Sequence, residues 1–391
     1  MSATSRFHFW RTVFWLVMAA GVVAGFQRFY YGLGASTNLS DRFPWGIWIG
    51  FDLLCGVGLA AGGFTLAATV HLFNIKAYEP VVRPAILTAF LGYLLVVVAL
   101  MFDLGRPYRI WHPLVMWNPR SVMFEVGWCV MLYTTVLFLE FLPVVLERFK
   151  LHTAKRLLQG IMLPIVIAGV ILSTLHQSSL GSLYLIVPNR MHPLWYTPWL
   201  PVLFYLSAIG VGMAMTIFES WHSARAFKRH LEIKLVRGMT RVLVVVIAVY
   251  FALRGMDMLQ RKAYTALFEP GYERWLFLLE VALMAGPMIL FWFDWSRKSP
   301  RTIYLGSVAF ILGFVTNRLN IGLTSFERVT GVNYFPSWQE VAITLMMIGL
   351  GFAIFRFAAS HLPIFESHEE EETQARGGEP GVPVLASTPG D

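Results

Sequence analysis

The stretch PAILTAFLGYLLVVVALMF, Pro84 to Phe102, holds 19 residues and no charge, with Arg83 immediately before it and Asp103 immediately after it. A helix rises about 1.5 Å per residue, so a run of this length crosses a hydrocarbon core of about 30 Å. In lipid only a helix or a closed barrel satisfies its own backbone, and a continuous apolar run lacks the period of a barrel strand. Working outward, nine more runs of this kind appear. They are Trp10 to Phe29, Trp45 to Val70, Ser121 to Leu146, Leu157 to Leu175, Pro198 to Phe218, Met239 to Leu253, Trp275 to Trp292, Ile303 to Leu319 and Val341 to Ala359. The chain therefore reads as an all-α, polytopic integral membrane protein with about ten transmembrane helices. The seventh and ninth runs are the shortest signals, each with an arginine near one end. The first follows Arg6 and Arg11 as a secretory signal would, but Gln27-Arg28 and aromatics stand where a small-residue cleavage site belongs. An uncleaved helix is expected.

Composition supports lipid as the solvent. Hydrophobic residues make up 57% of the 391 residues and charged residues 14%, whereas a soluble domain spends about a quarter on charge. The net charge of +8 does not point to nucleic acid, because the basic residues sit in short connections and build no long basic face. They do give an orientation. About eighteen Lys and Arg fall on the side shared by the termini and the even-numbered connections, against about twelve on the other. Both termini are expected in the cytoplasm of a bacterium, with the chain in the inner membrane. Residues 1–366 form the transmembrane unit, and residues 367–391, opening on Glu369-Glu370-Glu371-Glu372, read as a disordered acidic cytoplasmic tail. Cys55 and Cys129 form no C-x-x-C, so no iron–sulfur cluster can be built in this chain, and no metal site is expected.

A carboxylate at the centre of a spanning helix costs about 3 kcal/mol, so each needs a partner, a water path or a task. Asp52, Glu125, Glu140 and Glu280 lie within the runs, and Asp103 and His176 at their ends. With the orientation above, all but Glu140 fall near the outer surface, within about two helical turns. Pairing with Arg106, Arg254 or Arg274 would explain any one of them, but five helices converging on one level points to a site. His176-Gln177-Ser178-Ser179-Leu180-Gly181-Ser182 reads as a polar segment closing the fifth helix. Its imidazole, amide and hydroxyls could hold and protonate quinone oxygens, and Gly181 would let backbone approach a flat ring. Glu125 and Glu140, fifteen residues apart on one helix, could mark the ends of a polar path about 22 Å long, with Glu219 and His71 feeding its inner end.

Two rival classes share such features. A b-type cytochrome needs two inward-facing histidines at matching depth, and none pair here, so no haem is expected. A secondary transporter would carry intramembrane carboxylates and repeats. Phe124-Glu125-Val126 and Leu279-Glu280-Val281 are a faint echo of that kind, four helices apart.

Phe43-Pro44-Trp45-Gly46-Ile47-Trp48, Asp103-Leu104-Gly105-Arg106, Phe124-Glu125, Leu139-Glu140-Phe141, the His176 to Ser182 run, His192-Pro193-Leu194-Trp195 and Tyr334-Phe335-Pro336-Ser337-Trp338 together resemble the NrfD, or polysulfide-reductase-like, membrane subunits. Within that family the likeness is strongest to the quinone-reactive subunits of periplasmic nickel–iron hydrogenases. The resemblance implies two four-helix bundles with flanking helices and bound menaquinone or ubiquinone near the outer face. It implies a periplasmic ferredoxin-like iron–sulfur subunit as electron partner, itself joined to a catalytic hydrogenase or molybdopterin subunit. The site residues expected are His176, Asp103, Glu125, Asp52 and Glu140 for proton and electron chemistry, and His176, Gln177, Ser178, Ser179, Gly181, Arg106 and Trp48 for quinone binding. The alternatives are a proton- or ion-translocating or anchoring subunit without quinone turnover, or a b-type cytochrome subunit.

Overall fold

The computed structural model describes residues 3–227, 231 and 233–365. The expected acidic tail lies outside the described residues. Ten helices among them are long and apolar enough to cross a membrane. They are α1 (Phe9–Tyr31), α2 (Trp48–His71), α3 (Lys76–Asp103), α4 (Val122–Arg148), α5 (Met162–Ile186), α6 (Leu200–Ala226), α7 (Ile233–Gln260), α8 (Glu273–Trp292), α9 (Pro300–Thr330) and α10 (Trp338–His361).

The order of packing follows the chain. Helices α2, α3, α4 and α5 close a ring of neighbours, and α6, α7, α8 and α9 close a second. The rings meet through α5 against α6, and through α2 against both α6 and α9, while α1 pairs with α10 and the two lean on α3. Apolar tails of lipid offer no hydrophobic drive for helix pairing, so close packing between small residues carries it. At the seam of the two bundles, a Cβ on Gly212 would sit 2.8 Å from the backbone of Ala61 and Gly62. Only glycine permits that contact.

Two spans depart from regular α geometry. Helix α2 opens with a π-helical turn, Trp48–Leu53, and α9 contains another, Asn320–Thr324. The two turns face each other, with a Cβ on Gly322 falling 3.2 Å from the Cα of Gly50. Such turns re-aim the side chains around them and recur at functional sites.

The seventh and ninth spans are longer than their apolar runs. Helix α9 continues past Leu319 to Thr330 because Asn317, Arg318 and Asn320, which look like an end in sequence, are buried inside the second bundle. Helix α10 begins with a capping box: the Ser337 hydroxyl accepts from the Glu340 amide at 3.2 Å, and the Glu340 carboxylate accepts from the Ser337 amide at 2.8 Å.

Candidate functional site

The sequence placed His176 to Ser182 at a helix end beside a loop. The structure places the whole run inside α5, which stays helical through Leu183. The reason is tertiary: a polar run ends a helix only when water is near, and here the neighbours are other helices. His176 is fully buried with its ring 5.5 Å from that of Tyr93, and Tyr93 meets Tyr133 edge-on at 4.7 Å. Gln177 donates to the Val57 carbonyl at 3.2 Å, tying α5 to α2. Ser179 donates to a Glu125 oxygen at 2.5 Å and to the Leu175 carbonyl at 2.8 Å. Ser178 is half-buried, and its carbonyl accepts the Ser182 hydroxyl at 3.2 Å. Gly181 serves a helix contact: a Cβ there would lie 2.6 Å from the Leu200 backbone.

A line of polar atoms lies inside the first bundle. Both ring nitrogens of His176, the hydroxyls of Tyr93, Tyr133 and Ser173, and one oxygen of Glu140 are buried without a hydrogen-bond partner among the described residues. Buried polar atoms are otherwise almost always paired. They belong to α3, α4 and α5. Glu140 packs toward Gly169 of α5, where a Cβ would come within 2.9 Å of its carboxylate. Glu125, by contrast, is in the first turn of α4 and exposed. The sequence missed Tyr93, Tyr133 and Ser173 because tyrosine inside an apolar run scores as apolar. The one available signal was that they stand far from the interface, where membrane tyrosines usually collect.

A second group forms around Asp52. Its carboxylate is buried in the π-helical turn of α2 and accepts the Thr344 hydroxyl of α10 at 2.9 Å. Asp103, half-buried at the end of α3, lies within electrostatic reach. Arg28 of α1 holds that end in place, donating to the carbonyls on either side of Asp103, Phe102 at 2.6 Å and Leu104 at 2.8 Å. Trp48 is buried and its indole N–H donates to the Glu340 carbonyl at 3.3 Å. Above them, Glu340 is fully buried, and takes the Tyr334 hydroxyl at 2.5 Å and the Asn38 amide at 3.0 Å. Burial and the neighbouring Glu340 carboxylate push the Tyr334 phenol well above its ordinary range, so it stays a donor. Thr344 and Glu340, one turn apart on α10, were not singled out from sequence, although the spacing of Ser337 and Glu340 is a legible capping box. Arg106 stands apart, exposed in the connection after α3.

Asp52 also borders a cavity of about 860 Å³ between α2, α3, α6 and α10. Each helix gives it one stripe at helical spacing, such as Met347, Gly351 and Phe355 on α10, so the cleft runs lengthwise through the membrane. Its walls are mostly apolar, with Asp52 at one end and Glu219, its partner Thr88, His222, Ser223, Arg356 and Ser360 toward the other. None of the residues His176 to Ser182 lines it. A mostly apolar cavity of this size with few polar groups is the usual form of a small-molecule site.

Glu280 proves to be the ion-paired exception among Asp52, Glu125, Glu140 and Glu280. It is fully buried in the second bundle with Arg254 at 2.5 Å, Asn317 at 2.8 Å, and Trp195 and Asn320 at 2.9 Å. Its sequence echo of Glu125 is thus not an echo of role: one carboxylate is locked in an ion pair, the other exposed beside a serine. Arg318 lies fully buried nearby, its guanidinium 3.7 Å and 4.4 Å from the rings of Phe204 and Phe314. Among the described residues the fully buried histidines are His176, inside α5, and His192, in the connection before α6.

Comparison with known proteins agrees with this architecture. Residues 35–329 match the family described as Polysulphide reductase, NrfD. A Nitratidesulfovibrio vulgaris protein is 40% identical over 365 residues, covering 91% of this chain and 94% of the relative. The probable Ni/Fe-hydrogenase 2 b-type cytochrome subunit of Escherichia coli is 33% identical, covering 86% of this chain and 88% of its own. The integral membrane subunit of the Nitratidesulfovibrio vulgaris menaquinone reductase is 27% identical, covering 94% of both. Ten apolar spans, two closed rings of four helices and a match over three quarters of the chain make this multi-pass membrane protein a member of the NrfD family.

Proposed function

We propose that this chain is the quinone-reactive membrane subunit of a respiratory oxidoreductase complex, passing electrons between an iron–sulfur subunit docked on the outward face and the quinone pool. The observation that carries the reading is the cavity of about 860 Å³ that reaches the buried Asp52 carboxylate. A quinone ring is flat and apolar with an oxygen at each end, and reducing it consumes two protons. Asp52, held by Thr344 and close to Asp103, is placed to supply one at the outward end of the cleft. Two relatives, a hydrogenase subunit and a menaquinone reductase subunit by name, support the same class of chemistry.

Proton supply is the second part of the proposal. The unpartnered atoms of Glu140, Tyr133, Ser173, Tyr93 and His176 follow one another through the first bundle, and bridging water would join them into a relay. Glu125 and Ser179 form the outward end of the same bundle. In this reading Gln177 and Gly181 position α5 rather than touch the ring.

The test is reduction of a short-chain quinone analogue by the purified complex. Asp52→Asn should abolish it while the complex remains assembled; turnover at the wild-type rate would remove the cleft from the reaction. A second reading, an ion-translocating or anchoring subunit without quinone turnover, is favoured by the separation of His176 from the cavity. It requires that wild-type complex fail to reduce the analogue at all.

A further inference from the structure

We infer that the cleft binds an anionic phospholipid, its phosphate on Arg356 and an acyl chain lying along the cleft toward Asp52. The cleft is shaped for an amphiphile. Along α10 its lining runs from Met347 to Ser360, about 20 Å at the helical rise, which exceeds the roughly 15 Å of one leaflet's hydrocarbon. The cleft is partly open along its length and apolar for most of it. Its basic groups collect at one end only.

That end carries Arg356, one and a half turns before the close of α10, exposed and with no ion pair or hydrogen bond among the described residues. Opposite it on α6 is His222, also exposed and lining the cleft, whose Nε2 meets the Tyr304 hydroxyl at 3.1 Å. Arg225, one turn on, lies 4.4 Å over the Trp221 ring and adds a second cation at the same helix end. The one nearby carboxylate in the cleft, Glu219, accepts the Thr88 hydroxyl at 2.6 Å and so is turned toward α3. A guanidinium without a partner at the edge of the hydrocarbon calls for a diffuse anion with several acceptor oxygens. A phosphate diester supplies one, and the chains attached to it match the apolar walls.

The competing occupants match only half of this. The polyisoprenoid tail of a quinone would fill the walls and leave Arg356 unmatched. The acidic stretch Glu369 to Glu372 of this chain would match the charge and not the walls. The inference does not rest on the quinone reading, since the Arg356 end of the cleft can hold a headgroup whether a quinone or the acyl chain occupies the Asp52 end.

The experiment uses the full chain, purified in mild detergent, stripped of lipid and reloaded with phosphatidylglycerol or with phosphatidylcholine, the retained lipid being counted by mass spectrometry. Phosphatidylglycerol should be retained, and phosphatidylcholine, whose phosphate is offset by its own choline cation, held about tenfold more weakly. Arg356→Gln should weaken phosphatidylglycerol by about the same factor. Ala226→Trp, which adds bulk at the mouth without changing charge, should displace both lipids. Unaltered phosphatidylglycerol in Arg356→Gln, or equal retention of the two lipids, would overturn the inference. So would stronger lipid retention after removal of residues 367–391, because the tail would then be the occupant. Quinone reduction measured on the same variants separates a failure here from a failure of the proposed function.

Discussion

The hydroxyl of Thr344 donates to the carboxylate of Asp52 at 2.9 Å, joining α10 to the first helix of the first bundle. Thr344 thereby fixes which way a buried acid points at one end of the cleft. Thr344→Val should leave the complex assembled but slow quinone reduction by roughly tenfold, the loss expected for one hydrogen bond to a charged or reacting group. Thr344→Ser should restore most of the rate. A valine variant with wild-type turnover would mean that Asp52 needs no orientation.

Glu140→Gln should leave quinone binding intact while slowing turnover and abolishing the membrane potential built by reconstituted vesicles. Tyr93→Phe and His176→Ala should act in the same direction, since each removes one station of the buried line. Potential generation that survives all three substitutions would place proton uptake on another route.

Arg254→Met leaves Glu280 buried without its cation, and breaking a buried pair in this way costs about 3–5 kcal/mol. The variant should unfold well below the wild type in a thermal melt. Removing both charges, Arg254→Met with Glu280→Gln, should recover much of the loss. A single substitution without effect on the melt would show the pair to be dispensable for folding.

Haem is where the name of a relative and the positions of the histidines point different ways. The name of the Escherichia coli relative includes a b-type cytochrome, yet the fully buried histidines described here lie one inside α5 and one in a connection. We expect no Soret band from the isolated subunit, and a dithionite-reduced spectrum with b-type peaks would reverse that reading.

His192 gives a pH dependence outside the spans. Burial holds its imidazole below the ordinary histidine value, chiefly by disfavouring the charged form. The unfolded chain therefore binds a proton that the folded chain refuses. Stability from this site is full above about pH 6.5 and falls as the pH drops through that value. A His192→Gln variant should show a flatter stability profile between neutral and mildly acidic pH.

The ten spans were legible because a run such as Pro84 to Phe102 has one physical solution in lipid. Their ends were less so. Asn317-Arg318 and His176-Gln177 look like boundaries to any scale that treats polar residues as facing water, but the surrounding helices supply their partners instead. What sequence did make legible is the polar residues within apolar runs: Asp52, Glu140 and His176 are all buried. Which residues surround them was not legible. Thr344 meets Asp52 across 292 positions of sequence, and nothing in either segment names the other. Glu280 shows the converse error, since its partner Arg254 was in view as a bland alternative and turned out to be correct.

The backbone contact between Gly62 and Gly212 has a mechanical meaning. Two helical units that touch main chain to main chain cannot rock past each other without pulling the seam open, and alternating-access carriers depend on such rocking. The contact therefore opposes sliding of one bundle past the other. The proposed function fits such a frame, since protons, electrons and a ligand in a groove need no rocking of one bundle past the other. Replacing Gly212 with a larger residue would loosen the frame rather than stall a stroke.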